Sequence, residues 1–470
     1  MAEGSGSAEG NTASETRPGP RAGHGALSDL DRVRRAARND KDARFTALLH
    51  HVDVGRLRAA YWAIRPKAAP GVDGVTWTEY GQDLEANLRD LHARVHRGSY
   101  RARPSRRVFI AKADGRLRPL GVAALEDKIL QRALAEVLNA IYEADFVGFS
   151  YGFRPGRSPH DALDALAAGI VRKRVNWVLD TDFREFFTSL DHRWLERFLE
   201  HRIADKRVLR LIQKWMAAGV IEDGAWTESL EGVPQGASAS PLLANVYLHY
   251  VFDLWAHQWR TRHARGDVVI VRFADDAVVG FEYREDAERF WAELRERLAK
   301  FSLELNAEKT RLIRFGRFAA HQRKERGLGK PETFQFLGFT HICGKTKKGR
   351  FKLKRITDKK RMRAKLSAVK AELRRRRHLP IPDQGRWLAS VLRGHCNYYA
   401  VPDNSKAINA FRYRIIGYWL AALRRRSQRA RLTWERMYRI AARWLPQVRI
   451  LHPWPTVRFD ARTQGRSPVR

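Results

Sequence analysis

The stretch Val268-Val-Ile-Val-Arg-Phe-Ala-Asp275-Asp276-Ala-Val-Val-Gly-Phe281 limits what this chain can become more than any other. Runs of Val, Ile and Phe on both sides of an Asp-Asp pair read as two strands of a hairpin with the acids at its turn. Neighbouring carboxylates repel, so a cation is expected beside them. Arg272 is the only Lys or Arg close by in the flanks. A divalent metal is the simplest partner, because Mg²⁺ is commonly held by one or two carboxylates and completes its shell with waters and phosphate oxygens. On this stretch alone, ordinary turn chemistry is the better account of an Asp-Asp pair, and other stretches must supply the case for a metal.

At 470 residues the chain has room for two or three domains. It holds no apolar run of about 18 residues, and its first residues lack the basic-then-apolar order of a secretory signal, so a cytoplasmic protein is expected. Cys343 and Cys396 are too few and too far apart for a disulfide framework or a Cys-based zinc site. The net charge of +37 is concentrated: residues 341–470 hold 35 Lys and Arg against 6 Asp and Glu. A solvated face would mix its signs, whereas this excess calls for a polyanion, and with no membrane anchor nucleic acid outranks lipid.

Residues 1–28, rich in Gly, Ser, Ala and Pro, are expected as a disordered leader. A short helix is expected next, then turn chemistry at 69–75 and a helix carrying Leu84, Leu88 and Leu91. Val108 to Leu120 reads as a hairpin with cations at Lys112, Arg116 and Arg118, a shape that can clamp a triphosphate. Glu126 to Tyr142 carries a helical apolar stripe. The loop Ser150-Tyr-Gly-Phe-Arg154-Pro-Gly-Arg157 runs into a helix start in which Ser158 caps and Pro159 takes the first position. Trp177 to Asp182 is a buried strand that ends on acids, with Asp180 and Asp182 on one face. The loop from Gly232 repeats the Ser-Pro helix start at Ser240-Pro241, and Leu242, Val246, Tyr250 and Leu254 form the stripe of the next helix. After an amphipathic helix through Phe301, short strands are expected around Lys309 and at 334–339. From about Asp358 only Arg-rich helices remain, over 359–377, 387–399, 407–426 and 433–444. Their Trp387, Tyr398, Tyr399, Tyr413, Trp419, Trp434 and Trp444 are expected mostly as core. The pattern is α+β: a sheet covered by helices, followed by an all-α region.

Nucleotidyl transfer uses two metal ions about 4 Å apart, one activating a 3′-hydroxyl and one stabilising the leaving pyrophosphate. Asp182 at one strand end and Asp275 and Asp276 at a hairpin turn supply the carboxylates. Lys112 and Arg118 would neutralise a triphosphate, and Lys309 could protonate the leaving group.

Six ordered motifs over residues 57–450 make the chain resemble the reverse transcriptases of the group II intron maturase family. Phe273-Ala-Asp275-Asp276 resembles that family's Tyr-Ala-Asp-Asp hairpin. Pro234-Gln235-Gly236, followed by Ser240-Pro-Leu-Leu-Ala-Asn245, resembles its nucleotide loop. Tyr151-Gly-Phe-Arg-Pro-Gly156, Phe336-Leu-Gly-Phe339 and Leu392-Arg-Gly-His-Cys-Asn-Tyr-Tyr399 resemble its fingers, primer-grip and maturase signatures. The resemblance implies a right-hand polymerase, with fingers and palm over 29–340, a basic helical thumb and maturase domain over 341–450, and a basic tail over 451–470. It implies Asp182, Asp275, Asp276 and the Phe183 carbonyl as ligands of two Mg²⁺ ions, Mn²⁺ being able to substitute, with Asp180 in support. Phe187, five positions after Asp182, falls where the family blocks a ribose 2′-hydroxyl, and Gln235 would touch the nucleotide and the minor groove. The implied partners are intron RNA, an RNA template with a DNA primer, and deoxynucleoside triphosphates, in a bacterial cytoplasm or nucleoid.

Phe273 stands for the usual Tyr, Arg184-Glu185 and Thr188 for Lys-Gly and Asp, and Ala237-Ser-Ala239 for a Gly-Val-Ile type run, which bears on selectivity and speed. The family's C-terminal DNA-endonuclease domain is expected to be missing. Alongside the polymerase, the sequence leaves open a splicing-only RNA-binding maturase and a free-standing relative in host defence or repair.

Overall fold

The computed structural model describes residues 29–111, 117–222, 225–227, 232, 236–427 and 431–463. The leader, Lys112, Arg116 and Gln235 lie outside them, as does the side chain of Arg118.

The first strands, β1 (Ser105–Ala111) and β2 (Leu117–Val122), pair antiparallel as the expected hairpin. Helix Leu125–Asp145 buries its stripe, and helix Pro159–Arg172 starts on a Ser158–Asp161 capping box with Pro159 in its first turn. Then come β3 (Trp177–Asp182), β4 (Val220–Glu222), β5 (Ala225–Thr227), β6 (Val268–Phe273), β7 (Asp276–Phe281) and β8 (Arg311–Arg314). Strands β2-β1-β4-β5 form one sheet and β6-β7-β3-β8 another. The second sheet is covered on one side by helix Pro159–Arg172 and on the other by helices that include Arg284–Ala299, so Val269, Ile270, Val271, Val278 and Val279 are all fully buried. This is the α+β arrangement of the sequence pattern.

A third sheet, β11-β10-β9, is formed by β9 (Phe334–Phe336), β10 (Phe339–Lys345) and β11 (Phe351–Thr357). The boundary expected at 340/341 falls inside β10, and Phe334, Phe336, Phe339 and Leu353 pack into the core beneath β6 and β7. The chain therefore turns helical only after Thr357. Helices Lys359–Arg375, Ile381–Tyr399, Ser405–Arg424 and Trp434–Trp444 follow, close to expectation, around Trp419, Phe411 and Leu388. Two of the aromatics expected as core are not: Tyr413 and Trp434 are exposed and lie parallel, ring centroids 5.9 Å apart.

The stretch expected as a basic tail from 451 holds a helix, Pro455–Thr463. It packs back on helix Pro159–Arg172 by burying Phe459, and Arg458 donates to Asp164, which also accepts from Arg355 at 2.8 Å. One apolar side chain and a buried carboxylate thus dock part of the stretch expected as a basic tail.

Candidate active site

The turn between β6 and β7 is two residues long, Ala274 and Asp275, with Ala274 at φ 56°. On the other edge of β7, β3 runs antiparallel with Asp182 directly opposite Asp276. Directly opposed residues in such a pair have Cα atoms about 4.5–5.5 Å apart, so Asp182 meets the Asp275-Asp276 pair, more than 90 residues further along the chain, at one sheet end. Asp180 sits two residues back, paired in register with Arg311 and 3.7 Å from its guanidinium.

Arg272, the one cation near the pair in the chain, does not turn toward the carboxylates. Its side chain is fully buried beneath the turn and donates to both oxygens of Asp253 (2.7 and 2.6 Å), to Asn245 Oδ1, to Ser150 Oγ and, at 2.9 Å, to the Ala274 carbonyl. Asp253 reaches it through a π-helical turn, His249–Asp253, inside the rod Ser240–Arg262. The wider turn rotates everything after it, so Asp253 points inward and Leu254, expected on the apolar stripe, is 42% exposed. Ala239, not Ser240, holds the helix-cap position, so the Ser-Pro start differs from the one at Ser158.

The Tyr151-to-Gly156 loop is the third layer. Tyr151 N–H donates to the Arg272 carbonyl at 2.8 Å, and Asn245 donates to the Gly152 carbonyl at 2.7 Å. A Cβ on Gly152 would lie 2.2 Å from the Ala274 nitrogen, so only glycine lets this loop press on the turn. Arg154 is buried against Glu143 and the carbonyls of Val147 and Ser150, a structural clamp and not a ligand-facing cation.

These carboxylates open on a cleft of about 1880 Å³ lined by Asp182, Asp275, Phe187, Lys309, Gly236 and, across it, Leu117 and Pro119 of β2. Small-molecule pockets run to about 1,000 Å³, so this space suits a polymer end with a nucleotide. Phe187 stands partly exposed in the wall, edge-on to Phe186. Lys309 donates to Asp182 Oδ2, which compensates that carboxylate without a metal. The region around Lys309 is a single strand, β8, after a turn in which Lys309 N–H donates to Asn306. Phe183 bridges to Leu305 through the hydrogen bonds of its neighbours, Arg184 to Glu304 and Asn306 to Asp182, so its own carbonyl is not spent on that strand.

Asp276, opposite Asp182 at the strand end, is exposed to solvent yet has protein massed around it. That surrounding, with the Asp275 and Asp182 charges, pushes its carboxyl up to about 7, with Arg361 opposing. Burial likewise raises Asp180 to about 6, against Arg311. Among the described residues no three His, Cys, Asp or Glu side chains close a cage around an ion. Mg²⁺ asks for no such cage: one or two carboxylates with waters and substrate oxygens suffice, and a divalent cation relieves the repulsion that raises Asp276. The donor set fits Mg²⁺.

A buried sheet ending in three carboxylates over a polymer-sized cleft is the architecture of a nucleotidyl-transfer domain, and residues 110–341 match the family model of the reverse transcriptase (RNA-dependent DNA polymerase). Protein YkfC of Escherichia coli K12 is 41% identical over 192 residues, 40% of this chain and 50% of that protein. The group II intron-encoded protein LtrA of Lactococcus lactis is 31% identical over 227 residues, 47% of this chain and 37% of that one. An uncharacterized 91 kDa protein in the cob intron of Schizosaccharomyces pombe is 41% identical over 146 residues, 31% of this chain and 18% of its own length. Residues 110–341 therefore form a reverse transcriptase domain, and the chain is similar to group II intron-encoded proteins. The matched stretch spans half of YkfC and less of the other two. No helix among the described residues is long and apolar enough to cross a membrane.

Proposed function

We propose that this chain is an RNA-directed DNA polymerase of the group II intron type, which binds intron RNA to assist splicing and copies it into DNA. The observation that carries the reading is the register of Asp182 opposite Asp276, with Asp275 beside it at the mouth of the cleft. In this reading the β6-β7-β3-β8 sheet is the palm, the β1–β2 hairpin belongs to the fingers, and the helices from Lys359 are the thumb and maturase region. Two Mg²⁺ ions held by Asp182, Asp275, Asp276 and the Phe183 carbonyl would supply hydroxyl activation and charge neutralisation. Lys112 and Arg118 neutralise the triphosphate from the hairpin. Phe187 crowds the ribose 2′ position, selecting deoxynucleotides, and Gln235 lies against the nucleotide and the minor groove. Lys309 leaves Asp182 and gives a proton to the leaving pyrophosphate. The Arg-rich helices grip RNA phosphates, so binding weakens steeply with salt.

The test is Mg²⁺-dependent primer extension on an RNA template, with intron splicing measured in parallel, for wild type and for Asp275→Ala with Asp276→Ala. Extension is abolished and splicing largely kept. Extension that survives in the double variant overturns the site; splicing support without any wild-type extension leaves a splicing-only maturase.

A further inference from the structure

Phe153 has no task in the chemistry above, yet the fold goes to unusual lengths to present it. It lines the cleft, 44% exposed, between the buried Tyr151 and Arg154. Its φ is 59°, a left-handed backbone that glycine adopts freely and a residue with a side chain resists. An apolar ring turned to water from a strained backbone gives the folded chain nothing by itself, and strain of this kind collects where function uses it. Three straps hold it. Gly152 is pressed on Ala274 and bonded by Asn245, Arg154 ties Val147, Ser150 and Glu143, and Arg157 donates to the carbonyls of Gly148 and Ser150.

The sheet order gives Phe153 its side of the site. Its loop runs beside β6, bridging Ser150 to Arg272, whereas Phe187 follows β3; in the order β6-β7-β3-β8 the carboxylates of β7 lie between them. The Phe153 ring stands 6.4 Å from that of Phe273, the residue before the turn, at 47° to it. If the nucleotide sugar lies at Phe187, the far side of the carboxylates faces the base pair already made.

We infer that Phe153, backed by Phe273, is a positioning residue: an aromatic wall against which the last base pair of a primer–template duplex packs, seating the primer end over the three carboxylates. The inference rests on the polymerase reading. An aromatic face suits the task because every base and sugar edge offers it apolar surface, so it holds a duplex end without choosing a sequence.

The test uses Phe153→Gly and Phe153→Leu in the full chain, with primer–template affinity, KM for deoxynucleotide, product length per binding event and thermal midpoint as readouts. Phe153→Gly removes the ring and relieves the backbone, so the midpoint holds or rises while primer–template Kd weakens about tenfold and products shorten. KM for deoxynucleotide stays within about twofold. Phe153→Leu, still apolar and still strained, falls between. An unchanged Kd in Phe153→Gly overturns the inference; so does a loss confined to deoxynucleotide KM, or a midpoint that falls with activity as it would for a core residue. Primer–template binding needs no chemistry, so these outcomes are read even if wild-type extension fails, which would sink the polymerase reading instead.

Discussion

Arg272→Met takes away the cation beneath the carboxylate turn while keeping most of its bulk. Both side chains of the Arg272–Asp253 pair are 0% exposed, so the variant leaves a buried carboxylate with no counter-charge, at about 3–5 kcal/mol. Asn245, Ser150 and the Ala274 carbonyl each lose a donor as well, at roughly 0.5–1.5 kcal/mol apiece. The expected loss is therefore about 5 kcal/mol or more, which is a large part of a typical domain's stability. Adding Asp253→Leu removes the stranded charge and should return most of the 3–5 kcal/mol. Urea unfolding, followed by amide exchange across 268–281, measures both. Primer extension should separate from stability: the double variant regains its fold but still extends poorly, because nothing holds the Ala274 carbonyl and with it the angle of Asp275. A single variant that loses less than about 1 kcal/mol, or a double variant no more stable than the single, would refute the reasoning.

Three further outcomes follow from the same geometry. The Asp276 carboxyl is raised from an ordinary 3.8 to about 7, so the folded chain holds that proton more tightly than the unfolded one; its stabilising contribution is full below pH 4 and lost as pH climbs to 7. Metal binding runs the other way, so at low Mg²⁺ extension should rise through about pH 7, and a profile flat from pH 6 to 8 contradicts the assignment. Gly152→Ala should cost about 1–3 kcal/mol in unfolding and most of the extension rate, since its Cβ would sit 2.2 Å from the Ala274 nitrogen; wild-type kinetics would show that the loop does not brace the turn. Lys309→Ala breaks a pair whose side chains are 53% and 26% exposed, so stability should move by less than about 1 kcal/mol while extension slows; an unslowed enzyme removes Lys309 from the chemistry.

The elements most legible in the sequence were those that local pattern dictates. The β6–β7 hairpin, the Ser158 capping box, the stripe of Leu125–Asp145 and the four late helices each follow from periodicity or capping within a dozen residues. The carboxylates were visible for a similar reason: an acid at a strand end beside apolar residues conflicts with its surroundings wherever the strand goes. What could not be read was every contact whose partner is remote. Arg272 stood in the sequence only as a cation near the acids, and the π-helical turn that swings Asp253 inward shows that it braces the turn from beneath. Leu254 left its stripe for the same cause. Helix Pro455–Thr463 gave no sign of docking, because the carboxylate that receives Arg458 lies 294 residues away. Periodicity reports which face of an element is apolar, and composition which polymer it will meet. Which buried charge answers which, and how a strained ring such as Phe153 is held toward a cleft, depends on the packing of distant segments, and tertiary structure alone decides it.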